Sequence, residues 1–105
     1  MAQFAVYKNR NAATKGRFPL LLDVQSDLLE SLSTRVVVPL SPVATARDVA
    51  MKQLAPIFTI DGKQYVMLTP QLAGISTREL GQSIGTVIDE RATIVAALDF
   101  LITGI

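Results

Sequence analysis

The step Asp61-Gly62 stands between two β-rich runs, Pro56-Ile57-Phe58-Thr59-Ile60 and Gln64-Tyr65-Val66-Met67-Leu68. A two-residue type I′ turn needs positive φ at both central positions, and Asp-Gly is among the few pairs that supply it. The pair therefore predicts an antiparallel hairpin, and with it a chain organised around sheet.

Other segments follow the same alternation. Over residues 3–8, Phe4 and Val6 fall on one side and Ala5 and Tyr7 on the other, which reads as a strand. Residues 18–24 form a second strand, with Pro19 placing it at an edge or a bulge because Pro cannot donate to a ladder. Between them, residues 8–17 read as a long hairpin loop. Residues 35–40 hold Val36-Val37-Val38, the pattern of a strand buried on both faces, with Pro39 and Pro42 marking its end. Residues 28–33 are ambiguous between states, a helical turn is expected from Thr45 to Met51, and a short strand over residues 71–76. Ser76-Thr77-Arg78-Glu79 has the spacing of a capping box and predicts one helical turn. Residues 86–102 are the one long helix. Thr86 is its expected N-cap, Asp89 and Glu90 lie in its first turn, and Gly104 is its stop. Val87, Ile94, Leu98 and Leu101 form its apolar stripe, with Ile88, Val95 and Ile102 beside it. About six strands followed by one helix predict a mainly β or α+β domain with the helix packed on a sheet. No repeat or linker interrupts the 105 residues, so one domain spanning 1–105 is expected.

The chain contains no Cys, no His and no Trp, and its formal charge is only +1. Disulfide scaffolds, thiolate zinc sites and catalysis with a His base are thereby excluded. Hydrophobic residues make up 50% of the sequence, which argues against disorder. No run reaches the ~18 apolar residues of a membrane span. The start, Met1-Ala2-Gln3-Phe4-Ala5-Val6-Tyr7-Lys8, lacks the pattern of a signal peptide, so a cytoplasmic protein without metal or cofactor is expected.

Few features point to chemistry. Lys8, Arg10, Lys15 and Arg17 form the one charge cluster, without an acid among them. The cluster is either a solvated loop or a dock for an acidic peptide. Nucleic acid fits less well, since the segment has no aromatic residue. Asp23 and Asp27 could be an acid/base pair, but a polar turn with Asp capping backbone N–H groups is the simpler reading. Residues 81–86 carry two glycines but no P-loop Lys. Ala96, Ala97 and Phe100 make a small apolar area on the helix side away from Leu98 and Leu101, which a partner or a larger sheet would cover; the apolar ending Leu101-Ile102-Thr103-Gly104-Ile105 either frays or serves a function. No constellation reads as an active site. The best enzymatic arrangement would set Arg17, Arg35 or Arg78 beside a Ser or Thr to act on a phosphodiester.

The runs Gln3-Phe4-Ala5-Val6-Tyr7, Asp23-Val24-Gln25-Ser26-Asp27, Val38-Pro39-Leu40 and the ending Gly104-Ile105 resemble the CcdB family, in order and over essentially the whole chain. Members of that family are toxins of toxin–antitoxin modules. The resemblance implies a homodimer of SH3-like barrel subunits, each with a twisted antiparallel sheet, a small accessory sheet and a C-terminal helix. It implies a non-enzymatic poison that binds the DNA gyrase A subunit and traps the enzyme on cleaved DNA. A CcdA-like antitoxin would remove it and join it in repressing the shared operon, so that DNA is met only indirectly. Carried over by position, the gyrase-binding residues are Ser26, Leu28, Leu29, Arg91, Asp99, Thr103, Gly104 and Ile105. Leu28 and Leu29 replace other aliphatics, and Asp99 stands where better-known members have Asn. Thr103 stands in place of a Trp, and Arg91 in place of a Glu, with Glu90 adjacent. The antitoxin-binding residues are Lys8, Arg10, Lys15 and Arg17. Two other readings remain at this point. One is an endoribonuclease toxin of the MazF type, which shares the fold. The other is a non-toxic relic that still binds antitoxin as a corepressor.

Overall fold

One nine-residue strand, β3 (Thr34–Pro42), organises the sheet. The computed structural model describes residues 2–43 and 53–104. The helical turn expected from Thr45 to Met51 lies outside the described residues. Along one edge, β3 pairs with β2 (Leu20–Asp23), which pairs in turn with β1 (Ala5–Asn9). Its other edge is shared. The first half takes β6 (Ala73–Ser76), from Thr34↔Ser76 to Val37↔Ala73. The second half takes β5 (Lys63–Met67), from Leu40↔Met67 to Pro42↔Tyr65. β4 (Ile57–Ile60) closes onto β5, and β7 (Leu80–Thr86) onto β1. The order is β4-β5-β3-β2-β1-β7 with β6 beside β3, and every pairing is antiparallel. Among the described residues the curled half-barrel carries one α-helix, α1 (Arg91–Thr103), consistent with an SH3-like α+β fold.

The hairpin at Asp61-Gly62 forms as expected, with φ of 53° and 79° at the two turn residues. Alternation places Val6, Leu22 and Val38 in one cross-strand row facing the main core, with Phe58, Met67, Ile94 and Ala97. Burying each large aliphatic contributes roughly 1.5–3 kcal/mol. The intervening Ala5, Tyr7, Leu21 and Val37 form a second apolar layer with Leu80 on the opposite face. The central strands are thus buried on both sides, which is why the three valines run without a polar break.

Both prolines of β3 lie within the strand rather than beyond its end. Val24 N–H donates to the Val36 carbonyl at 3.1 Å, so even-numbered residues of β3 bond toward β2. Pro39 faces the other edge, at the change from β6 to β5. There its missing N–H interrupts no ladder, and its carbonyl accepts from Leu68 N–H at 3.0 Å. Pro19 does not mark an edge or a bulge. It precedes β2, an interior strand, and accepts from Asn9 N–H at 3.0 Å.

The seventh strand, β7, departs from expectation. It falls on residues 80–86, where no strand is expected from the sequence, and its glycines fit it against β1. A Cβ on Gly81 would lie 2.9 Å from the Lys8 carbonyl oxygen, and Gly85 sits beside a register shift. Gly81→Ala should lower stability by about 1–3 kcal/mol in urea denaturation, because backbone must move to admit the methyl. The entropic gain of removing a Gly, roughly 0.4–1 kcal/mol, is too small to offset this. Gly16→Ala, which meets nothing within 4 Å, is the control.

α1 also begins later than Thr86. Val87 N–H still bonds to the Phe4 carbonyl at 2.9 Å, so the chain is held to the sheet there. Thr86 Oγ1 instead accepts from Ile88 N–H at 3.2 Å and leads into a 3-10 turn, Ile88–Glu90. Gly104 ends the helix at φ 75°, donating to the Phe100 carbonyl at 3.0 Å. Ile94 and Ala97 are fully buried, with Val95 and Leu98 packed against the same core. Ala97 therefore belongs to the core and not to an outward area with Ala96 and Phe100. Its methyl lets the helix approach the sheet closely. Phe100 is half-buried, and Ile88 and Ile102 are exposed.

Candidate partner-binding surfaces

The run Asp23-Val24-Gln25-Ser26-Asp27 leaves β2 and enters a 3-10 turn, Asp27–Leu29. Asp23 Oδ1 accepts from Gln25 N–H at 3.0 Å, and Asp27 Oδ1 from Gln3 N–H at 2.8 Å. These are the backbone-capping roles expected of a polar turn, not those of an acid/base pair. Ser26 Oγ caps the 3-10 turn, accepting from Leu28 N–H at 3.2 Å. The sequence gives no sign of Asp23's main partner. Arg35 Nε and Nη2 reach Asp23 Oδ2 at 2.9 and 2.7 Å, with both side chains essentially out of solvent. Arg35 Nη2 also donates to the Gln25 carbonyl at 3.2 Å and stands 3.6 Å from Asp27 Oδ1. Burial pushes the Asp23 carboxyl above its ordinary value. The hydrogen bond from Arg35, the Gln25 N–H and the Arg35 charge oppose that shift. Arg35 is thus internal, and of the three arginines named as alternatives for phosphodiester chemistry it is not available at the surface.

Gln25 is 7% exposed and completes this network. The turn that the network supports presents its apolar side chains outward: Leu28 is 93% exposed, and Leu29 and Leu32 are each 49% exposed.

The basic loop is also ordered from below. Asn9, buried at the end of β1, donates from Nδ2 to Thr14 Oγ1 and to the Phe18 carbonyl, both at 2.9 Å. Its Oδ1 accepts from Asn11 N–H at 2.9 Å. Asn11 Nδ2 ties the loop to Glu79 Oε1 at 2.7 Å, so Glu79 braces the loop rather than closing a capping box. Ser76 still caps its own turn, accepting from Arg78 N–H at 3.2 Å. On this frame Lys8, Arg10, Lys15 and Arg17 are all exposed. Among the described residues none of the four is ion-paired, and the Arg17 guanidinium lies 4.9 Å from the centre of the Phe18 ring. A cavity of about 200 Å³ opens beside the loop, floored by Leu21, Val37 and Ile75 and rimmed by Asn11 and Glu79.

The remaining candidates lie along α1. Asp99, Thr103 and Gly104 lie at its C-terminal end and are exposed, whereas Arg91 begins the helix, about 12 Å from Asp99 and about 18 Å from Thr103 at 1.5 Å per residue. Thr103 Oγ1 donates back to the Asp99 carbonyl at 2.7 Å. Ile105 lies outside the described residues. The structure thus gathers Ser26, Leu28 and Leu29 on one turn and Asp99, Thr103 and Gly104 on another. Among the described residues no hydrogen bond or ion pair joins the two turns, and Arg91 stands apart from both.

Among the described residues no group of acids could hold a metal ion, and no helix is long and apolar enough to cross a membrane. Sequence reasoning missed Gln25 and Asn9, and gave Arg35 a surface role where it is, like them, an internal support of the two loops. No local pattern marks them, although Gln25 lies inside the most specific run of the sequence. The family model described as "CcdB protein" matches residues 3–104 of the 105, almost the entire length over which these elements are arranged. By that match the chain belongs to the CcdB family, the toxins of toxin–antitoxin modules.

Proposed function

We propose that the protein acts as a homodimer in the cytoplasm, binds the DNA gyrase A subunit and poisons the gyrase–DNA cleavage complex without catalysing a reaction itself. The observation that carries this reading is the exposed pair Leu28 and Leu29 on a turn fixed by a buried polar network. A rigid apolar contact loses little entropy when a partner covers it. Ser26 on the same turn, Asp99, Thr103 and Gly104 at the helix end, and the residue that follows in sequence, Ile105, extend the gyrase-binding surface, and Arg91 at the other end of the helix is a separate contact. The exposed cations Lys8, Arg10, Lys15 and Arg17 suit an acidic antitoxin segment. Binding there would allow neutralisation and joint repression of the operon, with DNA contacted through the antitoxin.

The test is expression in a gyrase-proficient bacterium, with and without residues 103–105. Growth arrest by the full chain, relieved by the deletion, is expected. Unimpeded growth with both chains, together with no binding to purified gyrase A, would overturn the proposal. If antitoxin binding persisted in that case, the protein would be a corepressor. Cleavage of RNA by the purified protein would instead make it an endoribonuclease.

A further inference from the structure

We propose that Gln25 is a positioning residue for partner recognition, holding Leu28 and Leu29 in the arrangement a partner meets. The inference rests on the reading that these leucines are contact residues. Gln25 touches the turn from beneath and meets no partner itself. Its Nε2 donates to the Leu29 carbonyl at 3.2 Å and to the Thr34 carbonyl at 3.3 Å. Its Oε1 accepts from Val36 N–H at 3.0 Å. One carboxamide therefore joins the presented turn to the first residues of β3. Its own backbone is fixed from both sides, by Asp23 Oδ1 on its N–H and by Arg35 Nη2 on its carbonyl.

This arrangement separates two tasks. Burial of Leu22, Val38 and the rest of the core folds the chain, and none of residues 27–29 is buried. The turn's first residue is tied at a distance, Asp27 Oδ1 accepting from Gln3 N–H at 2.8 Å, but its backbone hydrogen bonds are local: Leu29 N–H to the Ser26 carbonyl at 3.0 Å, and Glu30 N–H to the Asp27 carbonyl at 3.2 Å. Such bonds shape a turn without setting its orientation on the sheet. Asp27 holds the near end of the turn, and the bonds from the Gln25 side chain to the Leu29 and Thr34 carbonyls orient its far end, where Leu29 stands. The residue must be both donor and acceptor, which Gln is and Glu at neutral pH is not.

Gln25→Glu removes both donors, keeps the size, and turns a carboxylate toward two carbonyls. The unaltered protein, Gln25→Glu and Leu28→Ala should be titrated with purified gyrase A, with circular dichroism and amide exchange followed in parallel. Gln25→Glu is expected to stay folded, to exchange faster at Leu29, Glu30 and Leu32, and to bind about tenfold more weakly, the scale of one lost buried hydrogen bond. A folded Gln25→Glu with unchanged affinity overturns the proposal. If Gln25→Glu does not fold, the unaltered chain decides: slow exchange at Leu29 and Leu32 supports the clamp, and exchange at free-chain rates refutes it. Leu28→Ala separates the two levels. Full affinity in that variant means that the contact reading has failed. Weakened Leu28→Ala beside an unaffected Gln25→Glu means that only the positioning role has failed.

Discussion

Arg35→Met should cost the folded state about 3–5 kcal/mol, the usual penalty for removing one member of a buried ion pair. The Asp23 carboxylate would lose the guanidinium 2.7 Å away and keep only the Gln25 N–H at Oδ1. A domain of this size has roughly 5–15 kcal/mol in total, so the loss should show as a fall of more than about 10 °C in Tm and a clear shift of the urea midpoint. The paired change Arg35→Met/Asp23→Leu should recover part of the loss by removing the stranded charge. Recovery would be incomplete, since Gln25 N–H and the Gln25 carbonyl then lose their partners as well. A single variant within about 1 kcal/mol of the parent would mean that the pair is not a structural support.

The same pair carries a pH signature whose sign follows from burial. Desolvation raises the Asp23 carboxyl above its unfolded value, so the folded state holds that proton more tightly. Stability from this group is complete below the ordinary aspartate pKa and is lost as pH rises through the raised folded value. The stability gap between the parent and Asp23→Asn should therefore widen on going from about pH 7 to about pH 4.

Local signals were enough for much of the fold. Asp61-Gly62 demands two positive φ angles, and the alternation of Val6 with Tyr7 assigns the faces of β1; neither depends on distant contacts. β7 was not legible because Gly81, Gln82, Ser83 and Gly85 have low strand propensity, and its fit depends on the Lys8 carbonyl across the ladder. Ala97 was ambiguous for a related reason. At 100° per residue it lies about 60° from both Ile94 and Phe100, and a methyl suits either side. The candidate site divides in the same way. Charge shows the loop that carries Lys15 and Arg17, and the Asp23–Asp27 spacing shows a turn. The groups that fix both, Asn9, Gln25 and Arg35, act on partners brought close only by folding.

Leu28→Asp should abolish partner binding while leaving the free protein intact. Leu28 is 93% exposed and touches none of the core, so the free chain should change by no more than about 0.5 kcal/mol. Position 28 also lies in the first turn of a 3-10 helix, facing solvent, where water screens an added carboxylate from neighbouring Asp27. Binding is another matter. A Leu covered by a partner contributes roughly 1.5–3 kcal/mol, and a carboxylate in its place must be desolvated without a partner. At 1.4 kcal/mol per factor of ten, the affinity for gyrase A should fall at least about 100-fold, and growth arrest should disappear. The comparison must be made at equal soluble protein, with Tm measured for both chains. A folded Leu28→Asp that still binds gyrase A as the parent does would remove the turn from the interface, and the helix end from Asp99 to Ile105 would then have to supply the contact alone.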